Sequence, residues 1–321
     1  MTDPTRGPVD EPQSSDIPAA TPATRHVNYR TPWALPGQWY RGALHFHTTE
    51  SDAALEPAAA LAWYREQGYH FAAITDHNRL THAASASDDS FLALPGIELN
   101  VGRTEVGGDY HIVGLGVTAE PVVDEGAGAQ AAIDAIRAAG GEAILAHPYW
   151  SGATAHDLQG LQGALGVEVY NSTCEESIAK GLSAVHWDEL LARGQRLWGL
   201  AVDDAHWRRP DHGQGWVVLK ARRLEREAVM AALRAGHFYS TRGPRITGIE
   251  VFEGAVRVTC SSVATISFIC DNSRGKRFRA EGAAGIGRAE FTPPPEVSYV
   301  RVECADQQGR VAWSNPIYWS P

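Results

Sequence analysis

ALHFHTTESD, residues 43–52, ends an apolar run with two histidines two positions apart and sets an aspartate five residues after the second. In an extended strand alternate side chains point the same way, so His45 and His47 face one side as a pair. A strand that delivers paired imidazoles at its carboxyl end, with a carboxylate close behind, carries the donor set of a divalent-metal site.

The pattern recurs along the chain. Apolar runs end at His77 in ITDHN, Glu98 in PGIEL, His147 in LAHP, and Asp204 with His206 in VDDAH, whereas His111 begins its run in YHIVGLG. In β/α barrels the functional groups collect at the carboxyl ends of the strands, so most of these residues are expected at one mouth. Imidazole with carboxylate suits manganese, iron or zinc, and the lack of a nearby cysteine disfavours a structural zinc site. Glu98, one carboxylate among many imidazoles, is placed to bridge two ions. A lone histidine is more often a surface or hydrogen-bonded residue, and His26, His70, His82, His156, His186, His212 and His237 are assigned such roles.

Outward from these motifs the chain divides into three parts. Residues 1–36 hold seven of the 18 prolines and little periodic hydrophobicity, which predicts a disordered or surface-draped tail. Residues 37–243 alternate short apolar runs with helical segments: a helix opened by Glu56-Pro57 and ended by Gly68, and others near 129–139, 176–193 and 224–234. Strands separated by helices imply a parallel sheet, and about seven of them suit a closed or nearly closed barrel. Residues 244–321 read as short strands punctuated by Gly, Pro and Asn, which predicts a small all-β sandwich.

Composition limits the function classes. A chain of 321 residues, 44% hydrophobic, is long enough for about two domains. A net charge of −10 argues against a nucleic-acid polymer as partner, because counterion release needs a basic surface. No window approaches the roughly 20 apolar residues of a membrane helix, and the N-terminus lacks the charged-then-apolar order of a secretory signal, so no membrane partner and a cytoplasmic location are expected. Cys174, Cys260, Cys270 and Cys304 show no C-x-x-C spacing and read as buried thiols.

LHFHTTESD, ITDHN, PGIE, YHIVGLG, AHP and DDAH, in this order, resemble the successive motifs of the PHP (polymerase and histidinol phosphatase) superfamily, over roughly residues 40–240. RGALHFHT and FYSTRGP, with a β domain behind them, are similar to a subgroup that includes carbaryl-hydrolase-like metallohydrolases. The resemblance implies an α/β fold, a distorted (β/α)7 barrel followed by the β-sandwich, with two or three divalent metal ions (Mn, Fe or Zn). It implies that His45, His47 and Asp204 bind one ion and that Glu98 bridges it to a second held by His111 and His147. Asp52, His77 and His206 would form a third position. Where many members carry an aspartate two residues before the first histidine, this chain has Ala43.

Hydrolysis by metal-activated water is the expected reaction, with Glu98, Asp204 and His206 as the catalytic candidates. A phosphoesterase acting on a small, anionic phosphate monoester or nucleotide uses a cationic centre best. Arg79, Arg103, Arg208 and Arg242 are the candidate phosphate-binding residues, and Trp150 and Trp207 are candidates to line a pocket. A carboxylester or carbamate hydrolase is the alternative, and a non-catalytic metal-binding scaffold the alternative of another class. An amidohydrolase barrel fits less well, because no lysine precedes Lys180 to serve as a carboxylated bridge.

Overall fold

The structure, a computed structural model, describes residues 30–319. The expected N-terminal tail lies, over residues 1–29, outside the described residues.

Strand β1 (Gln38–Ala43) pairs in parallel with β2 (Phe71–Ile74), and β2 with the first half of β3 (Leu92–Val101). Helix α1 (Pro57–Glu66) links β1 to β2; proline fits its first turn, where no N–H is needed, and Gly68 at φ 77° turns the chain out of it. The second half of β3 pairs antiparallel with β4 (Tyr110–Leu115), and β4 pairs antiparallel with β5 (Glu142–Leu145). Gly96 sits where β3 changes partner, and a Cβ there would lie 2.7 Å from the Ile74 carbonyl oxygen. β6 (Ala164–Asn171) and β7 (Trp198–Val202) resume the parallel order. Beyond the end of β1, Phe46 bridges Ala205 in parallel, so the ring of seven strands is joined at its mouth.

The expected all-parallel (β/α)7 pattern is corrected by β4. β2 reaches β3 through a single 3-10 turn, Ala84–Ala86, and β3 reaches β4 through the loop 102–109. The eight-residue loop 102–109 is too short for a parallel crossover, so β4 returns antiparallel. Helix α2 (Ala129–Ala138) follows, burying Ala129, Ala132, Ile133 and Ile136 at the spacing of one helical face. The short α3 (Pro148–Ser151) and α4 (Ala155–Gln159) lie between β5 and β6. The single helix expected near 176–193 is two, α5 (Ser172–Ile178) and α6 (Ala184–Ala192), because Ala179 takes the left-handed conformation at φ 57° and ends the first.

β8 (Trp216–Ala221) pairs antiparallel with β1, and after α7 (Arg226–Arg234) β9 (Phe238–Thr241) pairs antiparallel with β8. The remaining strands are β10 (Ile246–Phe252), β11 (Ala255–Val263), β12 (Thr265–Cys270), β13 (Gly275–Arg279), β14 (Ile286–Phe291), β15 (Tyr299–Ala305), β16 (Val311–Ser314) and β17 (Ile317–Tyr318). β10, β11 and β14 form a three-stranded sheet, facing β12 and β15 across a core that includes Val256, Val258, Phe268 and Val302. β16 pairs with β9, so the sheet of the seven-strand ring runs on without a break through β16, β15, β12 and β13. Among the described residues no helix is long and apolar enough to cross a membrane.

Candidate metal centre

Strand direction assembles the site. The ends of β1, β2, β5 and β7 and the start of the reversed β4 all reach one mouth, which brings His45, His47, His77, His147, Asp204 and His206 to the same place as His111. The outlying position of His111 at the head of its run is thus the consequence of the antiparallel strand. Glu98 lies inside the long β3, and His77 forms an isolated bridge with it.

Glu98 is fully buried at the middle of the cluster. Its Oε1 is 2.9 Å from His111 Nδ1 and 3.2 Å from His147 Nε2, and its Oε2 is 2.9 Å from His77 Nδ1, 3.3 Å from His47 Nε2 and 3.5 Å from His45 Nε2. Asp204 Oδ1 is 2.9 Å from His47 Nε2 and 3.2 Å from His45 Nε2. On the solvent side Asp52 Oδ1 lies 3.3 Å from His206 Nε2 and 3.8 Å from His77 Nε2. The structure thus brings together all nine residues of the expected ligand set. His77 stands between two of the expected groups, one ring nitrogen toward Glu98 and the other toward Asp52.

The donor set fits divalent ions. Three groups, His45/His47/Glu98/Asp204, His77/Glu98/His111 and His47/Asp52/His77/His206, each hold their donor atoms within 4.8 Å of one another. Two atoms bound to one ion at about 2.1 Å each stand at most about 4.2 Å apart, so small rotamer shifts suffice. Glu98 Oε2 and Asp204 Oδ1 are buried and accept no hydrogen bond, although imidazole nitrogens crowd them. Lone pairs gathered on one point without pairing to each other call for a cation.

The same crowding holds protons in the metal-free chain. Burial lowers the pKa of His47, but the Asp204 and Glu98 carboxylates beside it outweigh burial and push the group up to about 9. His45 moves up too: burial opposes, and Asp204, Glu168 and Glu98 prevail. A divalent ion must displace these protons, so its apparent affinity is expected to rise from pH 6 to pH 8, by about tenfold per unit for each proton displaced. Calorimetric titration with Mn²⁺ in buffers of different ionisation enthalpy would measure that release; a pH-independent affinity would contradict it.

Several groups at the site were not singled out from sequence. Asp76 is buried and accepts from Thr48 N–H, Thr48 Oγ1–H, Ser51 Oγ–H and Thr81 Oγ1–H, pinning the turn that leads to Asp52. Asp211 accepts from the backbone N–H of His206 and from Thr173 Oγ1–H. Asn100 places its amide oxygen 2.9 Å from His77 Nδ1 and its amide nitrogen 3.0 Å from His111 Nε2. Glu168 and Asn171 of β6 lie behind His45, His147 and Asp204. Trp207, expected from sequence as a pocket residue, instead donates its Nε1–H to the His47 carbonyl and braces that strand.

A cleft of about 400 Å³ opens over Glu98, with Trp150, Ile178, Arg208 and Arg209 in its walls. Of the four arginines singled out from sequence, Arg208 lines it and donates to the Asp52 carbonyl. Arg79 pairs with Glu50 at 2.6 Å, Arg103 donates to the Gly107 carbonyl, and Arg242 lies over the Tyr170 ring at 4.1 Å.

No family model and no curated protein matches the chain. Solved structures similar to it include a two-domain protein from Bacteroides vulgatus containing a predicted PHP-like metal-dependent phosphoesterase, at 13% identity and TM-score 0.48, over 89% of this chain and 96% of that one. They also include an amidohydrolase from Chromobacterium violaceum with bound sulfate and no metal, at 19% identity and TM-score 0.41, over 51% and 87%. A protein from Bifidobacterium adolescentis described as a metal-dependent phosphoesterase is similar at 15% identity and TM-score 0.42, over 53% and 89%.

Proposed function

We propose that the protein is a metal-dependent hydrolase of the PHP type, and more narrowly a phosphoesterase acting on a small phosphate monoester or nucleotide. The observation that carries this reading is the convergence of eight other imidazole and carboxylate side chains about Glu98, whose Oε2 is buried and accepts no hydrogen bond. Divalent ions held there would supply a water of lowered pKa, towards about 7, and positive charge for the developing transition state.

The chain's own residues grade from closed to open. His45, His47 and Glu98 are shut away from solvent, whereas the Asp52 side chain is 51% exposed and those of His77 and His206 are 22% and 19% exposed. Substrate therefore meets the Asp52/His77/His206 side first. His206 Nδ1–H donates to the Asp204 carbonyl at 2.8 Å, which fixes the tautomer and turns Nε2 toward Asp52 and the cleft. Burial lowers the pKa of His206, the charges of Asp204 and His47 acting in opposite senses, so this imidazole stays neutral and able to accept a proton or bind an ion. Arg208 and Arg209 place positive charge beside the entrance, which favours an anionic substrate.

The carboxylester or carbamate reading draws support from Trp150 and Ile178, two exposed apolar side chains in the cleft wall. Steady-state kinetics on both substrate classes separates them. For a phosphoesterase, inorganic phosphate is expected to inhibit competitively, because a product that still spans the ions keeps much of the substrate's binding energy. Asp52→Asn is expected to reduce phosphoester turnover more than any ester side activity. Absence of phosphate inhibition, together with faster carboxylester or carbamate cleavage, would replace the first reading by the second.

A further inference from the structure

Glu168 was not expected in the site, and it touches two of the expected ligands, His45 and His147. It sits in the middle of β6, 1% exposed. Its Oε1 accepts from His45 Nδ1–H at 2.6 Å, and its Oε2 accepts both from the backbone N–H of His147 and from Asn171 Nδ2–H, each at 2.9 Å. The same Asn171 amide donates to Asp204 Oδ2 at 3.1 Å, while its oxygen accepts from Cys174 N–H and caps α5. That cap settles the amide's orientation, so its N–H groups must face the two carboxylates.

Two of the residues gripped this way hold unfavourable backbones. His147 has φ 26° and Asp204 has φ 55°, both in the left-handed region that side chains other than glycine avoid. Such conformations persist where surrounding contacts over-determine them. Glu168 holds the His147 N–H, Asn171 holds the Asp204 carboxylate, and the two are bonded to each other. The third grip sets a tautomer: with Nδ1–H given to Glu168, the nitrogen left free to give its lone pair to an ion is Nε2, which faces His47, Glu98 and Asp204.

We propose that Glu168 and Asn171 form one positioning device that presents His45, His147 and Asp204 to a divalent ion, without either residue binding the ion. The proposal rests on the metal-centre reading and not on the choice of substrate. Outer carboxylates of this kind tune metal affinity by about 10- to 100-fold.

The test is Mn²⁺ titration of the metal-stripped full-length protein by calorimetry, wild type against Glu168→Gln and Asn171→Ala. In Glu168→Gln the amide must oppose an N–H to either His45 Nδ1–H or the His147 N–H, so one grip is lost with little change in shape. Both variants are expected to weaken Mn²⁺ binding about 10- to 100-fold. The d–d absorption of the Co²⁺-loaded variants is expected to differ from that of the wild type, a signature that a merely structural role would leave in place. If Glu168→Gln does not fold, as judged by its melting transition, Asn171→Ala decides by the same titration. A folded variant that binds Mn²⁺ within threefold of wild type, with an unchanged Co²⁺ spectrum, overturns the proposal. A wild-type protein that binds no Mn²⁺, Zn²⁺ or Fe²⁺ overturns the metal centre itself, which is a different outcome.

Discussion

Glu98→Gln is expected to lower kcat by on the order of 10³-fold, as much as losing a principal transition-state stabiliser, in a protein that still folds. The substitution keeps shape and volume, so the packing of β3 against β2 and β4 has no reason to change. What it removes is one negative charge from a fully buried position faced by five imidazoles. A carboxylate can give one oxygen to the His111/His147 side and the other to the His45/His47/His77 side; an amide offers a single oxygen, and its NH₂ group repels a cation. Metal stoichiometry by elemental analysis should fall together with activity, whereas the melting transition of the metal-stripped protein should stay close to that of the wild type. A metal-replete, folded Glu98→Gln with near-normal turnover would exclude the bridging role.

Most of the candidate ligands were legible because they stand where an apolar run stops; His111 begins its run and Asp52 follows in the turn after one. The end of a buried strand is the place where a polar group needs an explanation, and His45, His147 and Asp204 have none as ordinary core residues. Glu168 was hidden for the opposite reason. Inside LGVEVYN it reads as the outward, solvated position of an alternating strand, but α6 covers one face of β6 and the ring interior takes the other. The reversal of β4 left one trace in the sequence, the histidine at the wrong end of its run, yet the alternation of strands and helices elsewhere favoured a parallel assignment. Asn100 carried no signal at all. An asparagine two residues beyond Glu98 is unremarkable until the pleat sets it between His77 and His111.

The sheet runs on past residue 243 through the β9–β16 pairing, and this continuity leads to the second large effect. A chain ending at residue 243 is expected not to fold. β9 would lose its partner β16 and leave a bare sheet edge. Tyr299, Trp313 and Tyr318 all belong to the core that surrounds α2 and α6, and Trp313 stacks on Tyr170 at 6.2 Å. Removing a buried aromatic costs about 3–5 kcal/mol, so the loss of three is comparable to the whole of the roughly 5–15 kcal/mol that a typical domain has in hand. Polar groups fail as well. Asn315 Nδ2–H donates to the carbonyls of Gly236 and Phe238 and its Oδ1 accepts from Gly199 N–H, while Arg301, 1% exposed, pairs with Asp188 of α6 at 2.6 Å. Asp188 would then stand beside an empty edge, and the Gly199, Gly236 and Phe238 backbone groups would lose the Asn315 amide. A single substitution grades the same junction: Asn315→Ala, which removes these three buried hydrogen bonds, is expected to cost about 2–3 kcal/mol. Chemical denaturation of the full chain, the Asn315→Ala variant and the truncated chain would measure the series. A soluble residue 1–243 protein with a cooperative transition and intact Mn²⁺ binding would show instead that the seven-strand ring stands alone and that the strands after it are an appendage.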